Sequence, residues 1–78
     1  MTLNELKVGK EAVVIEVLNY SSMKQRFIDI GFVRGARVEC VLESPGKDPK
    51  AYMIKGAIIA IRNDDAKSIK IEVTYKNE

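Results

Sequence analysis

Apolar residues in this chain recur with period two in short bursts, and that pattern leaves few folds open. From Glu11 to Leu18, Val13, Ile15 and Val17 point one way, and Ala12, Val14, Glu16 and Leu18 the other. From Arg37 to Glu43, Val38, Cys40 and Leu42 read as inward, with Arg37, Glu39, Val41 and Glu43 outward. Ala51 to Lys55 and Ala57 to Arg62 are two more β-rich stretches. Gly56 between them is read as a bend or bulge rather than a full reversal. Ser68 to Thr74 alternates again, with Ile69, Ile71 and Val73 inward and Lys70 and Glu72 outward. Five strands in 78 residues make one domain, 1–78, in a chain that buries only about 60–65% of its unfolded surface. The first strand is apolar on both faces, which is what a tightly curled barrel requires. Closure also limits exposed edges, so the predicted class is all-β: a small five-stranded barrel with one short helix.

The helical signals sit at defined points. Thr2 and Glu5 form a capping-box pattern that starts one turn, with Leu3 and Leu6 inward and Gly9 ending it. Asn19-Tyr20-Ser21-Ser22 breaks the first strand, and Ser22 with Gln25 forms a second capping box. Met23, Phe27 and Ile30 then share one face of a two-turn helix. Gly31 suits the C′ position, and Phe32 at C″ is placed to pack back on Phe27, as in a Schellman motif. Val33 to Ala36 reads as a turn around Gly35. Ser44 to Pro49, with Pro45 and Gly46, reads as a loop. Asn63 to Lys67 fits one capped helical turn, and Tyr75 to Glu78 is expected to fray.

Composition removes several functions. The chain has no His and one Cys, Cys40. A Cys/His zinc site and His-dependent nucleophilic catalysis are therefore excluded within one chain. No nucleophile, base and orienting group converge, so the reading is not an enzyme. One cysteine makes no internal disulfide, which fits a reducing compartment, the cytoplasm. The N-terminus lacks a signal-peptide pattern, and the apolar run Ala57–Ile61 is far short of the ~20 residues that cross a bilayer. Net charge is +2, too balanced for a nucleic-acid partner. Charge is nevertheless uneven: residues 23–37 carry Lys24, Arg26, Arg34 and Arg37 against Asp29 alone. Lys47, Lys50 and Lys55 against Asp48 make a second, weaker excess. Both read as solubilising charge or as a basic surface facing an acidic partner.

The run Phe27-Ile28-Asp29-Ile30-Gly31-Phe32-Val33-Arg34-Gly35-Ala36-Arg37-Val38 resembles the signature of the ferrous iron transport protein A (FeoA) family. Ser44 to Pro49 resembles that family's Ala-Pro-Leu-Gly-Asp-Pro loop, and Gly56 to Arg62 its glycine-led aliphatic strand. Leu3 to Gly9 also fits, so the resemblance runs over roughly residues 2 to 73. Two positions depart: Arg34 stands where the family often has Pro, and Gly46-Lys47-Asp48 replaces Leu-Gly-Asp. The resemblance implies an SH3-like barrel. It also implies an accessory protein that binds and modulates the ferrous iron permease, a membrane protein with a cytosolic GTP-binding domain. No required cofactor follows; weak Fe(II) association is admitted by the resemblance only, and self-association stays open. The same fold closes iron-dependent repressors of the diphtheria-toxin type, which leaves a metal-sensing module as the alternative, beside an RNA-binding small barrel.

The candidate partner-binding residues are Lys24, Arg26, Ile28, Asp29 and Arg34. Ile28 lies off the Met23–Phe27–Ile30 face beside basic residues and can seed a docking surface. Asp29, at the unfavourable end of the helix dipole, reads either as paired with backbone donors, Arg26 or Arg34, or as a partner contact. Gly31, Gly35, Pro45 and Gly56 read as turn-forming. Cys40 reads as core, and Asp64 and Asp65 as helix-capping charge rather than metal ligands. No metal site is assigned.

Overall fold

A computed structural model describes residues 1–18 and 22–74; residues 19–21 of the break expected at Asn19-Tyr20-Ser21-Ser22, and the tail 75–78 expected to fray, lie outside the described residues. After a 3₁₀ turn, Leu3–Glu5, the order is β1 (Glu11–Val17), α1 (Lys24–Ile30), β2 (Arg37–Glu43), β3 (Lys50–Ile54), β4 (Ala57–Ile61), α2 (Asn63–Ala66) and β5 (Ile69–Val73). The strands form one antiparallel sheet in the order β4-β3-β2-β1-β5. Leu3 and Leu6, β1, α1, β2, β3, β4, α2 and β5 all contribute to one buried cluster whose largest fully buried side chains are Tyr52, Phe27 and Phe32. Each large apolar side chain so buried stabilises the fold by roughly 1.5–3 kcal/mol. The two end strands of the sheet feed the same core, so the sheet curls around it, as the predicted barrel requires.

Two bulges decide which residues face in. In β1 the pairing with β5 shifts between Val14 and Glu16. Ala12 and Val14 are buried before the shift, and Val17 after it. Each of the two alternating sets supplies part of the inner face. In β2 the pairing with β3 shifts between Cys40 and Leu42. Val38 and Cys40 point inward as predicted, but Leu42 is turned out and is 63% exposed. An extra residue reverses parity downstream of a bulge, and strict alternation does not show where it lies.

The turns explain the glycines. Ile54 pairs with Ala57 across Lys55 and Gly56, so the chain reverses here, correcting the bend or bulge inferred from the sequence. Both residues have positive φ, 51° and 81°, as a two-residue type I′ hairpin demands. At the end of α1, the Gly31 N–H donates to the Ile28 carbonyl (3.1 Å) and the Phe32 N–H to the Phe27 carbonyl (2.9 Å). These are the two Schellman bonds, and the Phe27 and Phe32 rings meet edge-to-face at 5.7 Å. Gly31 has φ 132°, a conformation costly for other residues. The helix starts one residue later than predicted, with Met23 as N-cap, and the Gln25 amide is turned to Asp29 instead. Pro45 and Gly46 occupy the centre of a turn closed by the Lys47 N–H to the Ser44 carbonyl, 2.7 Å.

α2 and the N-terminal turn pack together beside β5. Ala66 is fully buried, and the 3₁₀ turn contacts both α2 and β5. The Thr2 N–H donates to Glu5 Oε1 (2.8 Å), the reciprocal half of the predicted capping box. α2 starts at Asn63 with Arg62 as N-cap, and Asp48 Oδ1 accepts the Asn63 N–H at 2.9 Å from a distant loop. Lys50 Nζ crosses to the 3₁₀ turn and donates to the carbonyls of Asn4 (2.8 Å) and Leu6 (3.2 Å). The side chain read as solubilising charge is buried and ties the N-terminal turn to β3.

Candidate docking surface

α1 presents Lys24 and Ile28, four residues apart, on one side, while Phe27 enters the core. The chain leaves the helix through Gly31 and Phe32 and enters the turn Val33–Ala36, closed by the Ala36 N–H to the Val33 carbonyl, 2.9 Å. Gly35, with φ 88°, donates its N–H to the Val14 carbonyl, and Val14 donates to the Ala36 carbonyl, both at 2.8 Å. These bonds hold the turn against β1 and leave a groove of about 420 Å³ between it, the helix and the second half of β1. Phe32, Val17 and Ile15 give it an apolar floor; Lys24, Arg34 and Glu16 stand around it. Ile28 is half-buried, and Val33 is 40% exposed.

Three of the five predicted partner-binding residues, Lys24, Ile28 and Arg34, therefore meet in one place. Arg26 and Asp29 do not line it. Asp29 accepts a hydrogen bond from Gln25 Nε2 at 2.9 Å, one helical turn back. The predicted pair of Asp29 with Arg26 or Arg34 is absent: the ion pair among the described residues joins Lys67 to Asp64 at 3.6 Å. The sequence reading missed Val33, Ile15 and Glu16. Val33 had a signal, an apolar residue in a turn between two glycines; Ile15 and Glu16 had none, because the β1 bulge places them.

A second groove, about 560 Å³, lies beside the N-terminal turn and is bordered by Lys7, Lys10, Glu11 and Glu39. It contains none of the predicted site residues. Cys40 is fully buried, and burial pushes its thiol pKa up, away from the reactive thiolate. Burial likewise raises the Tyr52 phenol, whose hydroxyl donates to the Leu3 carbonyl at 3.4 Å. No cluster of three or more His, Cys, Asp or Glu able to hold a metal ion occurs among the described residues. Nor is any helix among them long and apolar enough to cross a membrane.

A family model described as FeoA domain matches residues 1–73. The chain is 32% identical over 77 residues to an Fe(2+) transport protein A/Fe(2+) transporter FeoB fusion protein of Porphyromonas gingivalis. That match takes in 99% of this chain but 9% of the fusion protein. The FeoA protein of Chlorobium tepidum superposes with a TM-score of 0.88 at 31% identity, over 100% of this chain and 74% of that one. The zinc-complexed FeoA of Stenotrophomonas maltophilia, described as a prokaryotic SH3 domain protein, gives 0.83 at 30% identity, over 92% and 89% of the two chains.

Proposed function

The chain belongs to the FeoA family, which is associated with ferrous iron transport, and we propose that it is a cytoplasmic accessory module that binds and modulates the FeoB-type permease. It acts by binding, not by catalysis. The observation that carries this reading is the P. gingivalis relative, in which an FeoA-like stretch and FeoB share one polypeptide. Covalent linkage holds two modules at millimolar effective concentration. A contact too weak to persist between separate chains is sufficient there.

The groove beside α1 suits such a contact. Its apolar floor and half-buried Ile28 supply area, and Lys24 and Arg34 make no ion pair among the described residues. Unpaired rim cations steer an acidic partner and set association rate and salt dependence more than affinity. The permease's cytosolic GTP-binding domain is the proposed partner.

An amide-resolved NMR titration with that soluble domain and nucleotide tests the proposal. Saturable shifts are expected at residues 15–17, 24, 28 and 32–34. Saturable binding that leaves those positions unmoved would remove the groove, and no binding to any soluble part of the permease would remove the reading.

A further inference from the structure

The two edges of the sheet are treated differently. The β5 edge is covered: Thr2 bridges to Lys70, and the Ile71 N–H donates to the Met1 carbonyl at 2.9 Å. It also carries Lys70 and Glu72. The β4 edge has no such cover among the described residues, and its sequence, Ala57-Ile58-Ile59-Ala60-Ile61, has no charge and no proline. Its pairing with β3 is regular, without a bulge. Natural edges are usually blunted by one of these devices.

The hairpin fixes which backbone groups are free. Ile54 and Ala57 flank a two-residue loop, and such residues exchange both ladder hydrogen bonds, after which the pattern alternates. Ala57, Ile59 and Ile61 thus turn their amides to β3, and Ile58 and Ala60 turn theirs to the open side. Ile58 is 59% exposed, and half-buried Met53 faces it across the pair. Lys55 stands just before the strand and Arg62 just after it; both are exposed, and neither is in an ion pair among the described residues. The hairpin from Lys50 to Arg62 contains no acidic residue.

We propose that the free edge of β4 accepts an extended segment of a partner protein, apolar at alternate positions and acidic at both ends, as a sixth strand. Backbone pairing at Ile58 and Ala60 supplies register, and the two flanking cations select the ends. A second copy of the chain fits less well. Antiparallel pairing of two β4 strands would set Lys55 beside Arg62 at each end of the pair.

The full chain is titrated with the synthetic peptide acetyl-Glu-Val-Thr-Val-Thr-Val-Glu-amide and with its Lys-ended counterpart. The acidic peptide is expected to shift β4 saturably and to slow hydrogen exchange at the Ile58 and Ala60 amides. The Lys-ended peptide should bind about tenfold more weakly. Arg62→Glu should narrow that preference. Ala60→Pro, which removes a donor facing the open side and is tolerable at an edge, should abolish binding while leaving the rest of the spectrum in place. Equal binding of both peptides, or saturation without protection at Ile58 and Ala60, overturns the proposal. So does protection of these amides that rises with protein concentration alone, which would assign the edge to a second copy. The permease takes no part in this test, so its failure leaves the accessory reading untouched.

Discussion

A Cβ placed on Gly31 would lie 2.6 Å from Cγ of Lys55, so the end of α1 is seated on the turn of the β3–β4 hairpin with no room for a methyl group. Two costs combine at Gly31: this contact and a φ of 132°. Gly31→Ala is expected to destabilise the protein by about 1–3 kcal/mol in urea unfolding. Lys55→Gly should recover only the contact part, because the φ cost is intrinsic to residue 31. A double-mutant cycle separates the two.

Lys55 itself adopts φ 51° at the first centre of the hairpin turn. Asn is preferred there, since it tolerates positive φ. Lys55→Asn should stabilise the fold by roughly 0.5–1 kcal/mol, read as a higher urea midpoint at unchanged slope.

Lys50 serves two carbonyls of the N-terminal turn from within the structure. Lys50→Met keeps most of the stem but leaves the Leu6 and Asn4 carbonyls without that donor. The expected loss is about 1–3 kcal/mol, with amide shifts concentrated at residues 3–6. A surface lysine would cost almost nothing.

Burial raises the Cys40 pKa above its ordinary value of 9.0. A group raised in the folded state contributes stability that is fully present below the unfolded pKa and is lost as pH rises past it. Unfolding free energy should therefore begin to decline above about pH 9 in the wild type, and less so in Cys40→Ala after correction for its lower baseline. At neutral pH, alkylation of Cys40 should track opening of the fold, and rapid labelling of the native protein would contradict its placement.

Glu5 has the opposite sign. Its hydrogen bonds from the Thr2 backbone and side chain hold its carboxyl below the ordinary 4.5. The interaction is present above that value and is lost as pH falls through the lowered one. The Thr2 amide resonance should follow that titration, and Glu5→Gln should remove most of the pH dependence.

Lys24 and Arg34 lie on different elements but border one groove. Reversing both, K24E with R34E, should slow association with the permease's GTP-binding domain by about tenfold at low salt and much less at high salt. Stopped-flow binding at two ionic strengths checks this. Reversal of Arg26 and Asp29, which are outside the groove, should have little effect.

Local features were legible in the sequence because their causes are local. Gly31 and Phe32 next to an amphipathic run announce a Schellman end, and Thr2 with Glu5 announces a capped turn. Two prolines and a glycine announce the Ser44–Pro49 loop. The family signature built on Asp29, Gly31 and Gly35 announced the fold. Gly56 was misread because a lone glycine fits both a bulge and a tight hairpin; the pairing of Ile54 with Ala57 decides between them.

The sequence by itself determined five β-rich segments, the short helix with its end, and a chain without the residues for a zinc site or a histidine-based mechanism. Only the tertiary structure decided which residues face in after each bulge, that Lys50 is buried, and that the β4 edge stays open. Parity along a strand is a local rule, and a single inserted residue overturns it. Where that residue goes is set by how the curled sheet closes on Phe27, Phe32 and Tyr52, contacts between segments far apart in the chain.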